Sequence, residues 1–452
     1  TKLTKAEQKA KKDLADKIDK IETQLEEIKS NKIYENAFEW RFEFPEVLND
    51  EGDFVGFDVV IGNPPYGLFN KKQNQKISLE TDELSISYLK EKYSEACGGV
   101  INAAKIFYAL GFTISSSRGF QSMIIPYGIL TDTTSVNLRK YIFENNSLLK
   151  VDAFPERDNS SRRVFEDVKM STSILLTTKI KNINNFDIGI SYERCIQKNR
   201  SNFIVDDIKK LNSELMQVPL TDSKSFNLLS KIYNLNGQVK LGTISACLTG
   251  EIDMTFGKKA LTNDNSKPIL IKGVQLDRFI LKTSNEQISQ GEIEYVDFEV
   301  LKNIISEKKL KDSYNKRIAL QGLTGVNEKR RIKSVLVNEN SFLANSCNYL
   351  LKPKDHSLEL IVALLNSKLY NFLFKTRSTS SNVNGYEIDN LPFILNNKFE
   401  NDLKYIVDQI LSLKKDNPEA DTAALEREID TLVYQLYDLT EQEIAIVEEA
   451  SK

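Results

Sequence analysis

Phe57-Asp58-Val59-Val60-Ile61-Gly62-Asn63-Pro64-Pro65-Tyr66 is the stretch that decides the fold of the first half of this chain. The apolar run from Asp58 to Ile61 is short and rich in β-branched residues. It stops where two prolines remove the donors that a ladder needs, so it reads as a buried strand closed by a rigid turn. Downstream, Ile101 to Ser116 has helical character, Phe120 to Pro126 reads as a second buried strand, and Val136 to Asn145 as a helix. Leu148 to Phe154 and Thr172 to Thr178 are two further strands. Strands alternating with helices predict an α/β unit with a largely parallel sheet covered on both faces. Open sheets of that kind hold their ligands at the carboxyl ends of strands, which is where Asn63 to Tyr66 would stand.

Outward from this core the texture changes. In residues 4–32, Leu14, Ile18, Ile21, Leu25 and Ile28 alternate four and three apart, a heptad seam with Lys and Glu on the other faces. A lone helix would leave that seam wet, so a partner helix is implied, either in a coiled coil or in a hairpin with a segment upstream of this chain. Residues 1–35 are therefore taken as a coiled-coil or hairpin arm and 36–185 as the α/β unit. The polar, Asn/Lys-rich 186–235 is taken as linker. Residues 236–415 show short β-like runs, clustered Arg and Lys, and a Leu-dense helix from Leu358 to Phe374. In 416–452, an acidic amphipathic helix over 419–437 precedes a capping box at Thr440 and Glu443.

Composition excludes several classes. The 452 residues are 40% hydrophobic and 28% charged, an ordinary globular balance. No apolar run reaches membrane-spanning length and no signal peptide is present, so a cytoplasmic protein is expected. Four separated cysteines and a single histidine, His356, make a zinc site improbable, and no metal is expected. The net charge is −3, but 416–452 holds 11 acidic against two basic residues, so the remainder carries +6 and can present a basic face.

The Asn-Pro-Pro-Tyr turn suits one chemistry in particular. The exocyclic amine of adenine is a poor nucleophile because its lone pair is delocalised into the ring. Two acceptors aimed at its N–H bonds would localise that pair. The Asn63 carboxamide oxygen supplies one and the Pro64 carbonyl the other, with Pro65 stiffening the turn. Tyr66 offers a face on which an extruded base can stack.

This stretch resembles motif IV of the N6-adenine DNA methyltransferases. Phe44-Pro45-Glu46-Val47 just upstream is similar to the gamma-class, type IIG members of restriction–modification systems. The resemblance continues through Asn102-Ala103-Ala104-Lys105-Ile106-Phe107, where Phe107 falls at the position of an aromatic that packs on the adenine of S-adenosylmethionine. Gly119 to Leu130 looks like the next strand and loop. Val164-Phe165-Glu166-Asp167-Val168 looks like motif VIII, which makes Phe165 the second aromatic on the flipped base. The resemblance implies a site-specific adenine DNA methyltransferase (EC 2.1.1.72) with Asn63, Pro64, Pro65, Tyr66 and Phe165 as catalytic residues. Phe107 and Asn63 would be its cofactor contacts. The family's glycine-rich cofactor turn should precede motif IV, yet no Gly-x-Gly occurs anywhere in the chain. The expectation is a partial Rossmann-like methyltransferase sheet lacking its main cofactor-binding half, inactive in isolation.

The stretch from about 236 to 400, within an expected target-recognition domain at 236–415, resembles the TaqI-type target-recognition domain of the same class, through Leu241-Gly242-Thr243-Ile244, Phe342-Leu343-Ala344-Asn345 and Leu391-Pro392-Phe393. This implies a mixed α+β specificity domain followed by C-terminal helices. Lys272, Arg278, Arg317, Lys329, Arg330, Arg331 and Arg377 are its candidate contacts to double-stranded DNA, by phosphate neutralisation or guanine readout. Asp297, Glu307 and Lys309 have the spacing of a nuclease motif but lie in a Lys-rich helical stretch, where it reads as coincidence. Two other functions stay open: a DNA-binding specificity module without catalysis, and an N-methylase of RNA or protein. Self-association is expected through the heptad helix or an exposed sheet edge.

Overall fold

The computed structural model describes residues 5–30, 38–70, 78–81, 83–98, 101–325, 328–378, 380–396 and 398–451. The chain divides into two units, Thr1–Gln217 and Val218–Lys452, each with its own core.

The first unit opens with α1 (Lys5–Lys29), which follows the heptad seam; residues 4, 31 and 32 of the expected helix lie outside the described residues. Its sheet is built from β1 (Phe57–Gly62), β2 (Ser115–Pro126), β3 (Ser147–Phe154), β4 (Thr172–Thr178), β5 (Asn185–Ile190) and β6 (Ser201–Ile204). The spatial order is β1-β2-β4-β3-β5-β6. Only the β1–β2 and β3–β5 pairings are parallel. β4 runs antiparallel between β2 and β3, and β6 antiparallel beside β5. The sheet is therefore mixed where the alternation of elements predicted a largely parallel one. The reason is the connection from β3 to β4, which is too short on secondary structure to be a helical crossover and returns the chain antiparallel.

Helices α2 (Ala103–Ile114) and α3 (Val136–Asn145) pack against this sheet. α2 starts on Asn102, whose side chain accepts from the Ala104 N–H at 2.9 Å. Its buried Tyr108 bonds Thr177 of β4 at 3.1 Å, and Gln121 of β2 returns a bond to the Tyr108 carbonyl at 3.0 Å. The fully buried Arg139 of α3 is satisfied by carbonyls of Ile129, Asp132 and Leu215. Residues 186–235, expected as linker, instead supply β5, β6 and a helix at Val205–Leu211. Their polar composition reflects strands at the sheet margin that alternate exposed and buried side chains.

β1 is a correction of a second kind. Its apolar run predicted burial, but it pairs only with β2 among the described residues, and Val59 and Ile61 are 64% and 81% exposed. Gly56, which feeds the strand, has φ +87 and lies against the Ser115 backbone, where a Cβ would approach to 2.6 Å. Only glycine fits there, and it sets the register of β1 on β2.

The second unit contains α4 (Ser223–Tyr233) and two four-stranded sheets. One comprises β7 (Leu248–Thr249), β11 (Arg317–Gln321), β12 (Ser334–Val337) and β14 (Cys347–Leu351), all antiparallel. The other comprises β8 (Leu261–Thr262), β9 (Ile269–Ile271), β10 (Glu294–Val296) and β13 (Phe342–Leu343). Helices α5 (Leu358–Asn366) and α6 (Lys368–Lys375) replace the single Leu-dense helix expected. Ser367 breaks them because its hydroxyl caps the second, accepting from the Tyr370 N–H. α7 (Glu400–Asp416), α8 (Ala423–Leu436) and α9 (Glu441–Glu449) follow, the last opened by the Thr440–Glu443 capping box. Among the described residues no helix is long and apolar enough to cross a membrane.

Candidate active site

The carboxyl end of β1 delivers Asn63 directly into the proline turn. Asn63 is exposed, Pro64 is buried and Pro65 is exposed. Hydrogen-bond partners for the Asn63 carboxamide are absent among the described residues, so its oxygen is open to a ligand. Tyr66 is half-buried. Its hydroxyl donates to the Ile124 carbonyl of β2 at 2.8 Å, which fixes the ring beside the sheet. Burial pushes its phenol well above the usual range, so it stays neutral.

The turn is tied to α2 by backbone bonds. Ala103 N–H donates to Gly67 O at 2.8 Å and Phe69 N–H to Ile101 O at 2.9 Å. The start of α2 and the residues after Tyr66 are therefore joined through their backbones. Phe107, one turn into α2, is 39% exposed. Two residues earlier, Lys105 is buried and donates to the Thr134 carbonyl at 2.7 Å; burial lowers its pKa.

Phe165 comes from the segment between β3 and β4, over 100 residues downstream of the strand β1. Its ring meets Tyr66 edge to face, with centroids 5.8 Å apart and planes at 72°. The structure thus brings together Asn63, Pro64, Pro65, Tyr66 and Phe165 at one end of the sheet.

Two arginines that the sequence did not single out hold the Phe165 segment. Arg163 donates to the carbonyls of Phe165 (3.0 Å), Glu166 and Arg157. Arg194 donates to the carbonyls of Arg163 (2.8 Å) and Ser160 (2.7 Å) and pairs with Glu166 at 2.8 Å. The proximity of Arg163 to Phe165 in sequence was the one available signal; nothing marked Arg194, which arrives from the far side of β5.

The basic residues of the second unit are a correction to the expected DNA face. Arg317 is fully buried, paired with the buried Glu251 and stacked 4.6 Å from the Tyr349 ring centroid. Arg331 is 1% exposed and bonds Thr324 and the Ser380 carbonyl, 5.2 Å from the Phe374 ring centroid. Neither side chain reaches solvent, so neither meets a duplex. Arg278 pairs with Glu426 at 2.6 Å and bonds the Asn366 carbonyl. Arg377 lies 4.9 Å from the Tyr233 ring centroid and bonds its hydroxyl. Lys272 pairs with Glu294 and donates to the Glu292 carbonyl at 3.2 Å. These three are engaged in holding the unit together. Lys329 is exposed, and Arg330 is half-buried with a buried Nη1 that makes no hydrogen bond among the described residues. Asp297 caps the turn at Phe298–Leu301, and Lys309 donates to the Gly250 carbonyl at 2.9 Å.

Residues 1–159 match the model of the Eco57I restriction-modification methylase family. Over 179 residues the chain is 29% identical to the type II restriction enzyme and methyltransferase RM.Eco57I of Escherichia coli, covering 40% of this chain and 16% of that protein. It is 23% identical over 421 residues to a type II restriction enzyme and methyltransferase of Methanocaldococcus jannaschii, covering 88% of this chain and 32% of that protein. The chain thus spans less than a third of the length of these two curated relatives. Among solved structures, its fold is similar to that of the type IIL restriction-modification enzyme MmeI in complex with DNA, with a TM-score of 0.53 and 11% identity. That likeness covers 87% of this chain and 56% of the other, and is one of fold.

Proposed function

We propose that this chain carries the target-base and sequence-reading parts of a site-specific DNA methyltransferase acting on adenine N6 in a restriction–modification system. The observation that carries the reading is the open Asn63 carboxamide at the end of β1, flanked by the buried Pro64 and the Tyr66–Phe165 ring pair. Asn63 and the Pro64 carbonyl accept from the two N–H bonds of the amine and localise its lone pair. Tyr66 stacks on the extruded base and Phe165 covers it, offsetting the stacking lost in the duplex. No general base is required before transfer, because the neutral amine attacks directly.

S-adenosylmethionine is the donor this reading implies, supplying an electrophilic methyl group when bound. Phe107 presents an exposed ring suited to its adenine, and Asn63 lies at the strand end where the methyl must arrive. A Gly-x-Gly turn for the rest of the cofactor is absent from the sequence, so the residues present fit only part of it. The second unit would read the duplex as a TaqI-type recognition domain, with Lys329 and Arg330 as the basic residues left for DNA.

A second reading, a DNA-binding module without its own activity, is favoured by the missing glycine turn and by β1, which pairs only with β2 among the described residues. A transfer assay separates the two, using labelled S-adenosylmethionine, a mixed-sequence duplex, and the chain with and without Asn63→Ala. Label in N6-methyladenine that disappears with Asn63→Ala supports the enzyme. Salt-dependent duplex binding with no transfer fits the base-pocket and sequence-reading parts of a larger methylase when Tyr66→Ala weakens binding of a duplex with an unpaired target base, and supports the module when Tyr66→Ala leaves that binding unchanged.

A further inference from the structure

We propose that Arg157 clamps the DNA backbone at the base pocket, binding a phosphate that flanks the extruded nucleotide; the inference rests on the base-pocket reading above. Placement comes first. β4 runs antiparallel to both β2 and β3, so β3 leaves the sheet at the same end as β1 and β2. Arg157 stands three residues beyond β3, at the end that carries Asn63. The chain is pinned there. The Pro155 carbonyl accepts from the Ser171 hydroxyl at 2.8 Å, and the Ser171 carbonyl from the Tyr127 N–H at 3.0 Å. The Arg163 guanidinium bonds the carbonyls of Arg157 at 3.2 Å and Phe165 at 3.0 Å. One planar group therefore holds Arg157 beside the residue whose ring meets Tyr66.

What sets Arg157 apart is that the protein does not satisfy its side chain. Arginines stand at 157, 162, 163, 194 and 200 in this region. Arg162 pairs with Glu193 at 3.2 Å, Arg194 with Glu166 at 2.8 Å, and Arg200 with Asp152, while Arg163 bonds carbonyls. Arg157 is half-buried, with a buried Nε that has no hydrogen-bond partner. Its side chain makes no ion pair among the described residues. The carboxylates adjacent to it in sequence are engaged elsewhere. Glu156 accepts from the Asp158 and Asn159 N–H groups at 2.8 and 3.0 Å, and Asp158 pairs with Lys169 at 2.7 Å. A partly desolvated guanidinium without an acceptor is unfavourable, and an acceptor from outside the chain relieves it. Extruding a base rotates its backbone and carries the flanking phosphates to the pocket rim. A phosphate offers the oxygen pair that a guanidinium fork matches. Base and backbone are then held by different groups, the two rings for the first and Arg157 for the second.

The test titrates the full chain with a fluorescent duplex carrying one unpaired adenine. Each phosphate flanking that adenine is replaced in turn by an uncharged methylphosphonate. One of the replacements should weaken binding to the native chain about tenfold and leave the already weakened Arg157→Ala unaffected. Arg157→Ala should also lower the slope of log affinity against log salt by about 1. Arg157→Lys keeps the charge without the fork, so it should recover the slope and only part of the affinity. The thermal transition of Arg157→Ala should not fall, because the side chain makes no internal bond to lose. Equal methylphosphonate losses in the native chain and Arg157→Ala would overturn the clamp, as would a native chain indifferent to both replacements. A lowered thermal transition with an unchanged salt slope would make Arg157 a structural residue instead. Tyr66→Ala, run in parallel, separates the two readings. Unchanged affinity in Tyr66→Ala sinks the base pocket itself, whereas weakened affinity there without Arg157 coupling sinks only the clamp. A native chain that binds no duplex overturns both.

Discussion

Tyr66 and Phe165 meet edge to face, 5.8 Å between centroids, although 99 positions of sequence separate them. Tyr66 is held from below by its bond to the Ile124 carbonyl, and Phe165 by the arginine contacts to its own segment. The two rings are independently anchored, so they can be tested independently. Tyr66→Phe keeps the ring and deletes one bond. It should cost about 1 kcal/mol of unfolding free energy and leave duplex affinity unchanged. Tyr66→Ala removes the stacking face and should weaken binding of a duplex with an unpaired target base by about 1–3 kcal/mol. Chemical denaturation and fluorescence titration read the two effects.

Arg194 should act on the mobility of the Phe165 segment more than on global stability. Its guanidinium closes three contacts, to the Arg163 and Ser160 carbonyls and to the Glu166 carboxylate, from an exposed position. Arg194→Ala is expected to raise amide exchange across residues 157–168 while the midpoint of global unfolding moves little. Arg194→Lys, lacking the planar fork, should restore only part of the protection. Unchanged exchange in Arg194→Ala would show that Arg163 alone holds the segment.

Arg317 should behave as a core residue. Arg317→Ala leaves the buried Glu251 without its partner and should cost about 3–5 kcal/mol. Replacing both, as Arg317→Met with Glu251→Leu, should recover most of that loss. Lys329→Ala, by contrast, should leave the thermal transition in place and lower the slope of log affinity against log salt by about 1. Retained stability in Arg317→Ala combined with lost duplex affinity would reverse these assignments.

Glu400 gives the second unit a defined acid sensitivity. Burial works against its charge, but bonds from His356 Nδ1 at 3.0 Å and the Ser357 N–H at 2.8 Å hold its carboxyl below the ordinary value of 4.5. A carboxylate whose folded pKa is depressed stabilises fully above its unfolded value and loses that contribution as pH falls through the folded one. The stability difference between the native chain and Glu400→Gln should therefore be greatest above about pH 5 and shrink steadily below 4.5. A difference that stays constant down to pH 3 would show that Glu400 acts through shape alone. Urea titrations at fixed ionic strength across that range provide the measurement.

The sequence by itself determined many of the elements and the Asn-Pro-Pro-Tyr turn that ends β1. β2, β3, β4, α3 and the Thr440–Glu443 cap lie within a few residues of where periodicity and capping chemistry put them, because those signals are local. The rigid Asn-Pro-Pro-Tyr turn was legible for the same reason: proline acts on its own backbone. Strand order was not legible, since the antiparallel placement of β4 between β2 and β3 depends on which edges remain free after collapse. The exposure of Val59 and Ile61 was likewise hidden, because an apolar run reports a preference for burial and not whether a neighbour is there to bury it. The same limit explains the arginines. Arg317 and Arg331 carry the charge of DNA-binding residues, and only the tertiary structure, by surrounding each with a carboxylate, a hydroxyl or an aromatic face, made them part of a core.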